Sequence, residues 1–534
     1  TVSCLRSEMH IAEFSKYKST ERRMMFSSVM SAAVLGMEAY PVQVEADISD
    51  GLPMFCMVGD LAPEVREAAD RVRTALRNIR IPLPPRRVTV NLSPAHIRKI
   101  GTRFDLPIAA SLLTAMGIIP PEHTGGILIA GEVGLNGKVR PVNGILQTVM
   151  LARDQGCTWC LVPEENAREG AAVPEVAVTG VGTLKELLEY LTYPEKGRKR
   201  AQFVPDWREG GKIYPVDFRE INGQEGAKRA AQIAAAGMHN LLMIGSPGAG
   251  KTMIARRMPT ILPGLTMQES LEITRVYSAC GLLEEEGLVK TRPFRAPHHT
   301  ISANALAGGG RYIQPGEVSL ATRGILFLDE LPEFSRRALE TLRQPMEEGV
   351  IQISRTDGKY VFPAHFQLVA AMNPCKCGYY PDRSRCRCLP GEIHRYLGRV
   401  SRPLLDRMDL CTEVSRVDYQ NLVLERKNED SRSMRTKVES AWKMQQARYQ
   451  NCPWQFNSQL NAASVGEFCP LGNRESRVME IAFEKLELSV RAYHRIIKTA
   501  RTIADLEGEE RIREEHLLEA LGFRGADQKF WNPE

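Results

Sequence analysis

The sequence of 534 residues lacks long apolar runs and lacks a leader-like opening. No stretch reaches the ~18 apolar residues that a helix needs to cross a bilayer. The chain also does not open with a charged segment followed by a short apolar one, which is the pattern of a secretory signal. We therefore predict a protein without membrane segments and expect it in the cytoplasm.

The chain also has little excess of either charge. Its 70 Lys and Arg residues outnumber its 64 Asp and Glu residues, which leaves a net charge of +6. This balance permits nucleic acid as a partner without demonstrating one. The composition is that of an ordinary globular protein, and the length favours about three domains. Twelve cysteines in the cytoplasm are expected to be mostly reduced, so a cluster of them favours metal over a disulfide.

The most specific motif is a phosphate-binding loop at positions 245–252. It consists of Gly245, Ser246, Pro247, Gly248, Ala249, Gly250, Lys251 and Thr252. The apolar run 241–244 precedes it and predicts a buried parallel strand. Backbone N–H groups of such a loop cradle a polyphosphate, while Lys251 can neutralise its charge and Thr252 can ligate Mg²⁺. The sequence therefore predicts a site for ATP and Mg²⁺.

Two further apolar runs predict the rest of a hydrolytic site. The run 324–328 ends in Asp329 and Glu330, and the run 366–372 ends in Asn373. Parallel strands bring their carboxyl ends to one edge of a sheet, which is where ligands bind. We expect Asp329 to hold Mg²⁺, Glu330 to polarise the attacking water and Asn373 to orient that water.

The region before the phosphate-binding loop predicts an α/β domain over residues 24–193. Residues 1–23 are polar and aperiodic, and we interpret them as a disordered or upstream extension; residues 194–216 concentrate charge, Pro and Gly, which predicts a linker. The hydrophobic patterns predict strands at 39–48, 87–92, 127–132 and 159–162, and helices at 62–78, 106–116, 145–155 and 184–191.

Within this domain, the runs 130–145 and 161–166 resemble the C-terminal proteolytic domain of Lon. Active members use a Ser-Lys dyad. By that resemblance the serine falls within 105–109, where no serine stands, and the lysine falls on Leu146. Ser111 lies nearby and is interpreted as a small packing residue. The resemblance implies a Lon-like fold without the catalytic dyad, kept for binding or assembly.

Residues 217–418 resemble the core of AAA+ ATPases. The resemblance implies that Gln224 lies against the adenine and that Asn373 is the sensor-1 residue. It also implies that Arg407, with Arg402 as the second candidate, reaches the γ-phosphate bound by a neighbouring subunit.

The C-terminal region predicts a helical lid at 419–525 and a tail at 526–534. Ser489 is expected to cap a helix whose apolar face runs from Val490 to Ala504 and which stops at Gly508. In AAA+ lids an arginine near the start of this helix senses the γ-phosphate, and Arg491 matches that place.

Two insertions indicate which subgroup of AAA+ ATPases the sequence resembles. Segment 294–310 is similar to the helix-2 insertion of the clade that includes magnesium chelatase and the MCM helicases. Segment 349–363 alternates apolar and polar residues around Asp357-Gly358, which predicts a hairpin. Arg355 and Lys359 near its tip are candidates for contacts with DNA, although charged tips also serve solubility alone.

Two Cys-x-Cys pairs follow the third apolar run. They comprise Cys375, Cys377, Cys386 and Cys388. Four thiolates suit one Zn²⁺, but the one-residue spacing is tighter than the usual two to four residues. Zinc and unligated thiols on a basic loop both stay open at this point.

A Lon-like domain ahead of such an ATPase core and lid resembles the ComM/YifB family, often labelled magnesium chelatase-like. The resemblance implies a ring-forming, hexameric ATPase that acts on branched or single-stranded DNA, with branch migration in recombination and natural transformation as its role. Two alternatives remain: a chelatase-type motor subunit, and an ATPase that remodels proteins. An aromatic pore loop would favour the latter, and only Tyr312 qualifies near 308–310.

Overall fold

The computed structural model describes residues 26–201, 214–283, 287–310, 313–355, 358–416 and 428–531. The chain forms two compact units, of which the first holds the described residues up to 201 together with 278–283 and 287–288, and the second holds the others. The extension at 1–23, most of the expected linker, Tyr312, Asp357 and the last three residues of the tail lie outside the described residues. No helix in the described part of the chain is long and apolar enough to cross a membrane.

The first unit is built on a mixed sheet of seven strands in the order β3-β4-β2-β1-β5-β8-β9. The strands of this unit are β1 (Phe26–Leu35), β2 (Glu38–Ser49), β3 (Met54–Val58), β4 (Arg87–Ser93), β5 (Ile127–Ile129), β6 (Glu132–Val133), β7 (Val139–Arg140), β8 (Trp159–Pro163) and β9 (Ala177–Val181). Strand β2 is antiparallel to β1 and β4, the remaining pairs of the large sheet are parallel, and β6 and β7 form a separate antiparallel pair. Its helices are α1 (Pro63–Arg66), α2 (Ala68–Asn78), α3 (Asp105–Ala115), α4 (Ile145–Asp154), α5 (Ala167–Gly170), α6 (Leu184–Thr192) and α7 (Pro194–Lys199).

Helix α3 is the centre of the first unit's core. All of its residues are buried, as expected for a helix that is apolar on every side. It packs against β1 and β2. Asp105 in its first turn is fully buried and accepts hydrogen bonds from Nε and Nη2 of Arg71 at 2.8 and 2.9 Å. This two-pronged pair compensates the buried carboxylate, whose removal from water would otherwise be costly.

The positions to which the Lon resemblance assigns the dyad lie in this core. Segment 105–109 and Leu146 are buried. Ser111 is also buried, and its hydroxyl lies 2.8 Å from that of Ser27 and 3.1 Å from the carbonyl oxygen of Val44. These contacts confirm that Ser111 is a packing residue.

The predicted strands and helices of the first unit are confirmed within a few residues of their ends. Strands β1, β3, β7 and β9 were missed. Strand β1 is rich in Ser and Ala, which do not indicate strands. Strand β9 contains β-branched residues, but it is only five residues long and is interrupted by Gly180, which weakens its signal. The stretch expected as a linker begins with helix α7, in which a Cβ on Gly197 would come within 2.6 Å of the Trp159 ring.

The second unit contains a parallel sheet of five strands in the order β11-β14-β17-β10-β18. The strands of this unit are β10 (Leu241–Gly245), β11 (Phe294–Arg295), β12 (Gly308–Gly309), β13 (Gln314–Pro315), β14 (Ile325–Leu328), β15 (Val350–Arg355), β16 (Gly358–Pro363), β17 (Gln367–Met372) and β18 (Leu410–Val414). The pairs β12/β13 and β15/β16 form separate antiparallel hairpins.

The helices of the second unit lie around this sheet and in the C-terminal part of the chain. They are α8 (Glu225–Gly237), α9 (Lys251–Ile261), α10 (Met267–Cys280, which runs into segment 278–283), α11 (Ala303–Ala307), α12 (Glu317–Leu320), α13 (Arg336–Glu340), α14 (Arg343–Glu348), α15 (Pro390–Leu397), α16 (Arg402–Leu405), α17 (Ser431–Arg448), α18 (Ala462–Phe468), α19 (Asn473–Lys485), α20 (Val490–Leu506) and α21 (Glu514–Trp531). Short 3₁₀ turns of the two units occupy Pro121–His123, Glu164–Asn166, Phe218–Glu220, Leu331–Glu333 and Asn457–Gln459.

The three central strands, β10, β14 and β17, are fully buried, as their unbroken apolar runs predict. Because all five strands are parallel, their carboxyl ends meet at one edge of the sheet. The phosphate-binding loop and the polar residues that follow β14 and β17 are thereby brought together.

The predicted lid helix is confirmed as α20, with one exception on its apolar face. The Ser489 hydroxyl accepts a hydrogen bond from the Ala492 N–H, and Gly508 has the left-handed φ of +75° that ends a helix. Val490, however, is 64% exposed, so its assignment to the buried face was wrong. It lies in the first turn, before the stretch of the helix that packs against the core.

Candidate active site

The phosphate-binding loop joins β10 to α9 by a tight glycine-rich turn. Gly245 lies so close to the carbonyl of Val414 on β18 that a Cβ at this position would clash with it. Gly248 and Gly250 have left-handed φ values of +74° and +99°, which side chains rarely adopt. Helix α9 begins at Lys251, so its first N–H groups and the positive end of its dipole face the loop. This backbone can bind the phosphates of a nucleotide.

Lys251 lies in the middle of this site. Its Nζ donates to two carbonyl oxygens of the loop at 2.7 and 3.0 Å and to Oδ1 of Asn373 at 3.0 Å. Burial lowers the pKa of Lys251, while the carboxylates of Asp329 and Glu330 oppose this shift. The structure therefore brings the predicted lysine and asparagine into direct contact.

Thr252 and Asp329 form a second pair in the site. The Thr252 hydroxyl donates to Oδ2 of Asp329 at 2.7 Å. Hydroxyl and carboxylate oxygens are the ligands that Mg²⁺ prefers, and this ion normally bridges the protein to phosphate oxygens. The two side chains therefore fit the Mg²⁺ that accompanies a bound nucleotide.

Glu330 follows Asp329 at the end of β14. It contacts His299, a residue that was not predicted to lie in this site. Its backbone adopts a left-handed φ of +54°, its side chain is 57% exposed, and its Oε2 lies 3.2 Å from Nδ1 of His299. His299 follows β11, the strand beside β14. The order of the sheet strands was the signal that could have located it, because neighbouring parallel strands end at the same edge.

Gln224, the residue predicted to lie against the adenine, contacts the phosphate-binding loop. It precedes α8 with a left-handed φ of +60°. Its amide Nε2 donates to the carbonyl oxygen of Ala249 at 3.1 Å and also to that of Ser415, just after β18. Gln224 thus ties the loop to the end of β18, and its contact with adenine stays a prediction.

The predicted arginines of the second unit lie elsewhere. Arg407 and Arg491 line one cavity of about 740 Å³, whose described lining includes no residue of the loop 245–252. Arg407 pairs with Glu347 at 2.6 Å, and its Nη1 donates to the carbonyl oxygen of Pro403 at the same distance. Arg402 is exposed at the start of α16. The structure thus places Arg407 and Arg491 along one cavity that the loop 245–252 does not line.

The predicted hairpin is confirmed as the pair β15/β16, in which Arg355 lies opposite Gly358. Arg355 Nη2 donates to the carbonyl oxygen of Gly310 at 2.6 Å, so this hairpin lies beside the β12/β13 hairpin of the insertion. Lys359, opposite Ser354, is exposed.

The four clustered cysteines converge on one point. Their Sγ atoms all lie within 4.8 Å of one another, and no histidine or carboxylate of the described residues joins the group. The separations are 3.3 Å from Cys375 to Cys377, 3.8 Å from Cys375 to Cys386 and 3.6 Å from Cys377 to Cys386. Four sulfurs at ~2.3 Å around one tetrahedral Zn²⁺ lie ~3.8 Å apart, so the cluster fits this ion.

The parallel sheet, the loop, the carboxylate pair and the asparagine define a P-loop ATPase of the AAA+ class. The family models agree: residues 217–422 match magnesium chelatase, subunit ChlI; residues 44–166 match subunit ChlI of Mg-chelatase; and residues 428–524 match its C-terminal domain. The chain belongs to the ComM/YifB family of magnesium chelatase-like ATPases, which confirms the resemblance noted in its sequence.

Individual relatives extend over nearly the whole chain. Competence protein ComM of Haemophilus influenzae is 43% identical over 507 residues, which cover 94% of this chain and 98% of that protein. YifB of Salmonella typhimurium is 39% identical, with 95% and 98% covered. Lon protease of Dictyoglomus thermophilum is 29% identical over 139 residues, 25% of this chain and 17% of that protein, which agrees with the Lon-like interpretation of the first unit.

Proposed function

We propose that the protein is a ring-forming, hexameric ATPase that moves on DNA and drives branch migration of strand-exchange junctions in recombination and natural transformation. The observation that carries the ring is the position of Arg407. It lines a cavity with Arg491, and the described lining of that cavity includes no part of the phosphate-binding loop. We infer that the site of one chain receives from a neighbour part of the positive charge that stabilises the transition state of phosphoryl transfer. A neighbouring chain that inserts Arg407 supplies it, and repeated contacts of this kind close into a ring.

Within that ring, we assign the chemistry to the residues of the sheet edge. Lys251 neutralises the β- and γ-phosphates, and Thr252 and Asp329 hold the Mg²⁺, which supplies further positive charge when bound. Glu330 accepts a proton from the attacking water, and Asn373, already bonded to Lys251, orients that water. Gln224 lies against the adenine. Arg407, or Arg402 as second candidate, reaches the γ-phosphate of the adjoining subunit, and Arg491 of the lid senses the γ-phosphate.

The two hairpins support DNA as the substrate. Arg355 donates a hydrogen bond to Gly310 of the insertion, so strand β15 lies beside the end of β12, and Lys359 on β16 is exposed. In a ring, each subunit presents this pair, and successive hydrolysis events move it along a phosphate backbone. A role in competence is also supported by the name of the Haemophilus influenzae relative, competence protein ComM.

DNA is expected to stimulate the ATPase, and Lys359→Ala is expected to weaken that stimulation. Rates are measured without DNA and with single strands, duplex and a four-way junction over a range of salt. Loss of one phosphate contact should raise the DNA concentration needed for half-maximal stimulation and reduce the salt slope by about one. Lys485→Ala, which changes an exposed lysine on α19, is the matched control. An ATPase indifferent to every DNA would contradict the proposal.

The second candidate is a motor subunit of a magnesium chelatase. It is favoured by the family models and by the 67 kDa magnesium-chelatase subunit of Heliobacterium mobile, 27% identical over 234 residues, which cover 38% of this chain and 35% of that protein. The DNA-stimulation assay distinguishes this function from the DNA motor. An ATPase that no DNA stimulates would favour the chelatase subunit or the protein-remodelling ATPase.

We also propose that Cys375, Cys377, Cys386 and Cys388 hold one structural Zn²⁺ as thiolates. Protein purified without chelators is expected to contain about one zinc per chain by elemental analysis, the amount that one four-thiolate site binds. Cys386→Ser should lose this metal, whereas Cys56→Ser, which changes a thiol on β3 outside the cluster, should retain it. Zinc-free wild-type protein would contradict the assignment.

A further inference from the structure

The loop that carries the four cysteines, residues 375–388 and here named the cysteine loop, touches the phosphate-binding loop. Its Gly378 has a left-handed φ of +85°, and a Cβ at this position would clash with Cδ and Cγ of Pro247. The backbone of Gly378 therefore lies directly against the Pro247 ring, with no room for a side chain between them. The cysteine loop also begins two residues after Asn373, which bonds to Lys251. It thus contacts the nucleotide site at Pro247 and is linked to it along the chain through Asn373.

The same loop contacts the last helix of the unit. The Tyr380 N–H donates to Sγ of Cys375 at 3.4 Å, and the Tyr380 ring lies 6.2 Å from that of Phe530 on α21. The guanidinium of Arg383, within the cysteine loop, lies 5.4 Å from the centroid of the Tyr380 ring. The cysteine loop therefore connects the phosphate-binding loop to α21.

We propose that metal binding to the cysteine loop and nucleotide binding to the phosphate-binding loop are coupled through the contact between Gly378 and Pro247. This inference rests on the proposed zinc site. Residues 375–388 contain no helix or strand, so a metal that joins both Cys-x-Cys pairs would add a restraint on their conformation to those of the turns within the loop. When the metal is bound, Gly378 supports Pro247 and keeps the phosphate-binding loop in the shape that receives phosphate. When the metal is absent, nucleotide binding must also order the cysteine loop, and this entropy loss lowers the nucleotide affinity.

Coupling of this kind acts equally in both directions. If zinc raises nucleotide affinity by some factor, bound nucleotide must raise zinc affinity by the same factor. The inference can therefore be tested from the metal side, by the dissociation constant of zinc measured in competition with a chelator, and from the nucleotide side, by the dissociation constant of a non-hydrolysable ATP analogue.

In the wild-type full chain, the analogue is expected to lower the dissociation constant of zinc, measured in competition with a chelator, by about tenfold. Gly378→Ala should retain one zinc per chain, since all four thiols remain. It should bind the analogue about tenfold more weakly, and the analogue should no longer change its zinc affinity. Gly508→Ala is the matched control, because Gly508 has a similar φ of +75° but nothing within 4 Å of an added Cβ. It should keep wild-type coupling.

The outcomes separate the inference from the zinc assignment. Zinc-free wild-type protein overturns both. A wild-type protein that contains zinc but binds it with the same dissociation constant with and without the analogue overturns the coupling alone. Wild-type analogue binding by Gly378→Ala also overturns it. The measurement of zinc affinity in the wild type needs no variant, so it decides the question even if Gly378→Ala does not fold.

Discussion

Glu330→Gln is expected to slow ATP hydrolysis by about 10²–10⁴-fold while ATP still binds. The carboxylate follows β14 beside the Thr252–Asp329 pair, and glutamine keeps its size but cannot accept a proton from water. Since Lys251 and the phosphate-binding loop are untouched, nucleotide affinity should change little. Single-turnover hydrolysis and binding of a fluorescent ATP analogue measure the two effects separately.

Glu333→Gln is the matched control for this prediction. Glu333 lies three residues further along the chain and pairs with Arg399 at the protein surface at 2.8 Å. Exposed pairs of this kind contribute little to stability, so the control should hydrolyse ATP at close to the wild-type rate. A Glu330→Gln variant that hydrolyses ATP as fast as this control would rule out Glu330 as the general base.

Arg407→Ala is expected to reduce the maximal hydrolysis rate by about 10³-fold or more, the range found when an arginine is removed from a phosphoryl-transfer site. The reason is that its guanidinium compensates charge that develops only in the transition state. ATP binding to the same chain should be retained, because Arg407 pairs with Glu347 and lines a cavity whose described lining includes no part of the phosphate-binding loop. Arg399→Ala, which changes an exposed surface arginine, should leave the rate near that of the wild type.

Mixing two inactive variants tests whether Arg407 acts between subunits. Arg407→Ala keeps an intact phosphate-binding loop, and Lys251→Ala keeps an intact Arg407. If the arginine acts in a neighbouring chain, mixed assemblies contain interfaces with both intact groups and should recover part of the activity. A mixture as inactive as its components would show that Arg407 does not act in trans, and the same experiment with Arg402→Ala would then test the second candidate.

Much of the ATP site could be predicted from the sequence because its residues are set by local requirements. The loop 245–252 needs glycines for its turn and a lysine and a threonine at its end, so the whole pattern lies within eight positions. Asp329 and Asn373 each follow an apolar run that could only be a buried strand. The Asp357-Gly358 pair and the alternation around it likewise predicted the β15/β16 hairpin. Strand β1, which is rich in Ser and Ala, was missed because tertiary pairing overrides its weak local propensity.

By itself, the sequence determined that this protein is a P-loop ATPase, because the phosphate-binding loop and the paired carboxylates are each recognised from a few consecutive residues. The AAA+ class was indicated by a resemblance to that family. Only the tertiary structure decided which distant residues meet. It placed His299 beside Glu330, Arg407 with Arg491 in one cavity, and Gly378 against Pro247. The physical reason is that such contacts depend on the order of strands in a sheet and on the paths of long loops, and neither leaves a periodic signal in the sequence.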